Sequence, residues 1–171
     1  MKTCWLFFTL LFISTVCNGA VFSNIQLNGW KKENLSKNHL RFTNPHKKEM
    51  AIHLQIESYD NKKFWNKRTL ASDIKKMEDQ RKFMSNLLGI TDYRIIKYSF
   101  EIISTSLPRS SLDLNGSYNT PDGKRVTFRE MNYYYNENFL QLKLINENNQ
   151  LDEKKISQII KEINVEELEI H

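Results

Sequence analysis

The chain has 171 residues, with 25 Lys and Arg against 20 Asp and Glu and a formal charge of +5. That excess is too mild for the basic footprint of a nucleic-acid-binding domain, so nucleic acid is excluded as an expected partner. Beyond the N-terminus no run is long and apolar enough to read as a membrane-spanning helix.

Met1-Lys2-Thr3 leads into an apolar run from Cys4 to Val16, the arrangement of a signal peptide. The run falls short of the ~20 residues needed to cross a bilayer as a helix. Gly19 or Ala20 supplies the small residue before the cleaved bond. Residues 1–20 are therefore read as a cleavable leader and 21–171 as a single domain that is periplasmic or secreted. Lipidation at Cys17 is the minority alternative, because Val16 and Ser14 stand where a lipobox wants a small residue and Leu. Both cysteines, Cys4 and Cys17, fall inside the leader, so no disulfide staples the exported part. It must stand on a core, and a domain of about 150 residues buries roughly 70% of its unfolded surface. Export without disulfides fits a bacterial envelope or secreted protein. Asn34-Leu35-Ser36 and Asn115-Gly116-Ser117 match the glycosylation sequon, a pattern that arises often by chance.

Phe22 to Trp30 reads as a first strand, with Ile25 and Leu27 on one face and Asn28-Gly29 ending it. Leu40 and Phe42 alternate with His39, Arg41 and Thr43, and Met50, Ile52, Leu54 and Ile56 alternate with Ala51, His53, Gln55 and Glu57. Two half-buried strands joined by the turn-forming Asn44-Pro45-His46-Lys47-Lys48 make a hairpin. Its apolar residues face one side if Leu40 lies opposite Ile52 and Phe42 opposite Met50, which sets His39 against His53 and Thr43 against Glu49.

Thr69 to Leu88 predicts a helix. Thr69 is a candidate N-cap, Leu70, Ile74, Met77, Met84, Leu87 and Leu88 make its stripe, and Gly89 is the left-handed residue that ends it, with Ile90 folding back. Four strands follow. They are Tyr93 to Ser104 (Ile96, Tyr98, Phe100 and Ile102 on one face), Leu112 to Tyr118, Arg125 to Tyr135, and Phe139 to Ile145 with Leu140, Leu142 and Leu144 in phase. Thr120-Pro121-Asp122-Gly123 and Asn136-Glu137-Asn138 are the turns. A last helix starts at Asp152, its N-cap, and places Ile156, Ile159, Ile160 and Ile163 at i, i+3, i+4 and i+7, with Ile159 and Ile160 expected to be buried against the sheet. The fold class is α+β: a mainly antiparallel sheet, an N-terminal hairpin plus a four-strand meander, covered by two helices in a sandwich.

Asn28-Gly29-Trp30 before a strand, the run Leu40-Arg41-Phe42-Thr43-Asn44-Pro45 leading into Met50 to Ile56, the meander and the terminal helix together resemble the PsbP/Mog1/DcrB-like group of small α/β/α sandwich domains. The resemblance spans most of residues 22–165 and lies in architecture. It implies an accessory or binding role, since members of that group mostly assist other proteins.

Chemistry is sparsely written. His39 and His53, set against each other on the outer face of the hairpin, are the metal-ligand candidates, but a closed zinc site wants four ligands and a catalytic one three plus water. Two exposed polar strand residues is the plainer reading. Ser110, Ser111 and Ser117 lie in no G-x-S-x-G elbow, and five glycines leave no phosphate-binding loop. No catalytic residue and no cofactor is expected.

The sharpest local feature is Lys62-Lys63-Phe64-Trp65-Asn66-Lys67-Arg68, between hairpin and helix. Aromatics flanked by cations suit an acidic partner or an anionic membrane surface, so Lys62, Lys63, Phe64, Trp65, Lys67 and Arg68 are the contact candidates. The competing reading buries Phe64 and Trp65 as anchors of the helix entry. In a strand, Tyr133, Tyr134 and Tyr135 alternate, so Tyr134 faces opposite to the other two. Charge is lopsided: Lys62 to Lys82 is basic, whereas Glu147 to His171 holds seven acids against Lys154, Lys155 and Lys161. The expected function is that of an exported, non-enzymatic accessory protein that binds an envelope protein or an anionic envelope surface. A periplasmic or secreted hydrolase with a dispersed acid and histidine site is the alternative.

Overall fold

The computed structural model describes residue 22 and residues 25–46, 50–58, 67–102, 110–135, 138–147 and 153–163. Residues 1–20, expected to be a leader, Asp152 and the aromatic pair Phe64-Trp65 lie outside the described residues. Seven strands run in chain order as β1 (Lys31–Ser36), β2 (His39–Thr43), β3 (Met50–Ser58), β4 (Thr91–Ile102), β5 (Ser110–Asn119), β6 (Arg125–Tyr134) and β7 (Asn138–Glu147). Helix α1 (Leu70–Leu87) sits between β3 and β4, and α2 (Glu153–Ile163) follows β7. All neighbours are antiparallel in one sheet of order β1-β2-β3-β7-β6-β5-β4. The meander thus folds back so that its last strand joins the hairpin, which merges the two expected pieces into one α+β sandwich.

The first expected strand is corrected. Ile25 to Trp30 is irregular chain with a turn at Asn28-Gly29, where Gly29 takes φ +78°. The edge strand is the polar Lys31–Ser36, wet on both faces, so no alternation announces it. Phe22, Ile25 and Leu27 are nonetheless buried, and Lys32 Nζ holds their backbone by donating to the Phe22 carbonyl at 2.8 Å and the Ile25 carbonyl at 3.0 Å.

The hairpin register is corrected by two residues: Leu40 faces Leu54, Phe42 faces Ile52, Thr43 faces Ala51 and His39 faces Gln55. A slip of two keeps every side chain on its face, so alternation cannot choose between the registers. Both place Leu40, Phe42, Ile52 and Leu54 on one side, where Ile52 and Leu54 meet Leu144 and Leu142 of β7.

In β4 the irregularity between Ile95 and Lys97 makes Ile95, not Ile96, the inward residue. Ile96 is left 64% exposed, and Tyr98 and Ile102 are also open, while Phe100 packs inward as expected.

Helix α1 ends as its sequence says. Ile90 N–H reaches the Ser85 carbonyl and Gly89 N–H the Asn86 carbonyl, both at 3.0 Å, with Gly89 at φ +74°. That is a Schellman stop. Its start does not follow the sequence: Thr69 is helical in φ and ψ, and its side chain makes no capping hydrogen bond. Its stripe is buried only at Ile74 and half-buried at Leu70 and Met77, whereas Met84, Leu87 and Leu88 are exposed.

The helices cover the sheet along a diagonal. Ile156, Ile159 and Ile163 of α2 pack with Phe22, Ile25 and Leu27 on Leu40, Phe42, Ile52, Leu54, Leu140, Leu142 and Leu144, the β2-β3-β7 half of one face. Ile160 is half-buried beside them. Each fully buried Ile or Leu contributes about 1.5–3 kcal/mol. Helix α1 sets Ile74, Leu70 and Met77 on Leu112, Leu114, Ile95, Phe100 and Tyr134, the β4-β5-β6 half of the other face. Tyr134 therefore points to α1 and Tyr135 into the α2 core, with Tyr133 packed against that core, the alternation expected.

Candidate functional site

Diagonal cover leaves half of the α1-side face without a helix among the described residues. Cross-strand pairing arranges the side chains there in rows. Glu33, Arg41, His53, Lys143 and Glu130 pair in succession from β1 to β6, and beside them run His39, Gln55, Gln141 and Asn132. These are the polar partners of the alternation that buries Leu40, Phe42, Ile52 and Leu54 on the other side, so one period-2 pattern makes both the core and this half-face.

The row is anchored at Glu130, 1% exposed. Arg81 of α1 reaches over the sheet and grips it through a fork, Nη2 to Oε1 at 2.8 Å and Nη1 to Oε2 at 3.0 Å. Arg81 Nη1 also donates to the Tyr93 hydroxyl at 3.1 Å. Asn132 Nδ2 donates to Glu130 Oε1 at 3.2 Å, Gln141 Nε2 donates to Asn132 Oδ1 at 3.1 Å, and Lys143 Nζ stands 3.8 Å from Glu130 Oε2. Burial alone would push the Glu130 carboxyl up, but the Arg81 and Lys143 cations and these hydrogen bonds outweigh it and hold the group below its usual range. Burial pulls the Lys143 ammonium down, and Glu130 opposes that pull only in part. Lys143 also lies over the Phe128 ring, 5.3 Å from its centre.

His39 and His53, the two metal candidates, do meet. They are diagonal neighbours rather than an opposed pair, with His39 Nε2 and His53 Nδ1 sharing a hydrogen bond of 2.9 Å. Burial, then His39, Arg41 and Lys143, lower the His53 pKa from 6.5 to about 3. Burial and Arg41 also lower that of His39. Both rings are neutral at neutral pH. Thr43 pairs with Ala51, and among the described residues no third His, Cys, Asp or Glu joins the two rings as a metal-ligating group. Arg41 faces His53 directly, and its Nε is buried without a hydrogen-bond partner, a desolvation cost of about 1–3 kcal/mol.

Of the contact candidates, Lys67 and Arg68 are exposed just before α1, while Lys62, Lys63, Phe64 and Trp65 lie outside the described residues. The basic bias of α1 is met locally: Lys75 pairs with Asp79, Lys76 with Asp73 and Lys82 with Glu78 along the helix surface. Sequence reasoning missed Arg81, Glu130, Lys143 and Asn132. Arg81 carried one signal, a charged residue at a position in phase with Leu70, Ile74 and Met77, that is, on the inward stripe.

No family model matches the chain, and no curated protein matches it in sequence. A likeness appears in structure. The solution structure of cyanobacterial PsbP (CyanoP) from Synechocystis sp. PCC 6803 superposes with a TM-score of 0.55 over 81% of each chain, at 10% sequence identity. The fold is PsbP-like. The resemblance carried by element order is thereby shown at the level of architecture: a seven-stranded antiparallel sheet with two helices. No described helix is long and apolar enough to cross a membrane.

Proposed function

We propose that this protein is an exported, non-enzymatic accessory protein of the bacterial envelope or secreted space, which binds another envelope protein or an anionic envelope surface. The observation that carries the reading is the polar half-face of β2, β3 and β7, which no described helix covers. It is pinned by the buried Arg81–Glu130 fork, and its Arg41 retains a buried donor without a partner. Such a prearranged surface lowers the ordering cost of association. The PsbP-like fold supports it, because that architecture resembles a group of assisting proteins. The N-terminal Lys2-to-Ala20 pattern supports export. The contact surface extends to Lys62, Lys63, Phe64, Trp65, Lys67 and Arg68, the segment that joins β3 to α1, the two elements bearing His53 and Arg81.

Trp65 tests this reading. In the leaderless protein carrying Trp30→Phe, Trp65 is the sole tryptophan. Its fluorescence is expected to be open to quencher and to shift on mixing with anionic vesicles or with envelope extract. That response should weaken with salt, which screens exposed charges over ~8 Å at physiological ionic strength. Trp65→Ala should leave the melting temperature nearly unchanged and abolish the response. A loss of ~3–5 kcal/mol in Trp65→Ala, the range for emptying a buried aromatic site, would overturn the contact surface.

A further inference from the structure

A second half-face, on the α2 side of β4, β5 and β6, has no helix over it among the described residues, and there two arginines converge on one serine. Ser117, 1% exposed, lies opposite Arg94 of β4 and Thr127 of β6. Arg94 Nε donates to Ser117 Oγ at 3.4 Å, and Arg125 Nη2 donates to the same oxygen at 3.2 Å. The first distance is long for an N–H···O bond and the second is at the upper end of the range, and each guanidinium has five N–H donors, so most of their capacity is unspent. Both arginines are exposed at the mouth of the site, with the serine at its base.

Of the acids nearby, one is neutralised by an arginine and one is held by a neutral amide. Asp113 is taken by Arg129, which donates through Nη2 at 2.6 Å and through Nε at 3.1 Å. Asp92 accepts from Asn119 Nδ2 at 2.8 Å. Among the described residues no carboxylate pairs with Arg94 or Arg125. Lys97, exposed and opposite Asn115, adds a further cation on the same side. Two like charges aimed at one neutral hydroxyl repel each other, and an anion seated between them removes that repulsion. With two arginine donors on Ser117 Oγ, its own O–H remains available to donate to a bound oxygen.

We propose that Arg94, Arg125 and Ser117 form a binding site for a phosphate-class oxyanion. A planar carboxylate offers two oxygens and is satisfied by one guanidinium fork. A tetrahedral phosphate offers oxygens to both forks and to the serine at once. The site uses none of the residues on which the proposed contact surface rests, so each stands or falls separately.

The test is a titration of the leaderless protein, followed by the Arg Nε–H and backbone amide resonances. Inorganic phosphate should move the Arg94 and Arg125 side-chain signals and the Ser117 amide saturably, with a Kd of about 1 mM or tighter. Acetate at equal ionic strength should not. Arg94→Gln and Arg125→Gln, both at exposed positions, should each weaken phosphate binding about tenfold, the loss of one charge-assisted contact. Ser117→Ala should weaken it less, and the arginine variants decide the matter if that buried change unfolds the chain.

A second arm uses phosphatidylcholine vesicles with and without phosphatidylglycerol. Binding to the anionic vesicles that Arg125→Gln abolishes, without a response to free phosphate, assigns the site to a lipid headgroup. Response to free phosphate alone assigns it to a small ligand. Equal shifts with acetate, unchanged affinity in Arg125→Gln, or no response in either arm would overturn the proposal.

Discussion

The same three strands, β2, β3 and β7, present two different surfaces. Toward α2 they offer Leu40, Phe42, Ile52, Leu54, Leu140, Leu142 and Leu144, each essentially closed to solvent. Toward the α1 side they offer His39, Arg41, His53, Gln55, Gln141 and Lys143. Apolar packing is non-directional, and it makes the first surface a general adhesive for a helix of the right period. The second is directional: His39 and His53 share a hydrogen bond, Gln141 donates to Asn132 and Lys143 stands by Glu130, so removing one member strands the other. Stability should therefore be most sensitive to charge on the α2 side, and to unpairing and pH on the α1 side.

The largest effect is expected on the apolar side. Ile159→Asp buries an unpaired carboxylate in the α2 core and should cost more than ~4 kcal/mol, read as a lost or strongly lowered denaturant midpoint. A variant that melts like the parent would mean that α2 does not hold the sheet, and the contrast between the two surfaces would collapse.

On the polar side, Arg81→Met leaves Glu130 buried with only the more distant Lys143, and should cost about 3–5 kcal/mol. The double variant Arg81→Met/Glu130→Met should be less destabilised than Arg81→Met alone, because the fully buried carboxylate is gone and the cation that remains, Lys143, keeps partial access to solvent. If the two changes simply add, the fork is not a coupled pair.

The gentlest probe is pH. His53 has a folded pKa of about 3 against 6.5 for the free side chain, so between those values the unfolded chain binds more protons than the folded one. Stability contributed by neutral His53 is full above pH 6.5 and declines as pH falls from 6.5 toward 3. Denaturant titrations across this window should show the slope, and His53→Gln should flatten it. An unchanged slope in that variant would assign the pH dependence to other groups and leave His53 inert.

Much of the architecture was legible because alternation survives every ambiguity of pairing. Leu140, Leu142 and Leu144, or Ile156, Ile159 and Ile163, declare their face whatever lies opposite. The hairpin register was not legible, since a two-residue slip preserves that facing and only β7, far along the chain, selects between the two. Nor was β1 legible, because Lys31–Ser36 is an edge with no apolar face and exists by pairing with β2. The site followed the same rule. His39 and His53 were visible as polar members of an alternating strand, and their contact came through a different register from the one expected. Arg81 and Glu130 stand 49 residues apart, and no local pattern joins a helix guanidinium to a strand carboxylate across that distance.

By itself, the sequence determined the two helices, six of the seven strands and the inward set of most of them. Those depend on short-range periodicity and on turn residues such as Gly89 and Gly123, whose positive φ is written in a single letter. Only the tertiary structure decided that α1 and α2 cover opposite halves of opposite faces, and hence which polar rows no described helix covers. A sheet has two faces and the pattern labels both. Which half of each face a helix covers depends on strand order, and strand order is set by the long-range pairing of β3 with β7, which joins residues 50–58 to 138–146.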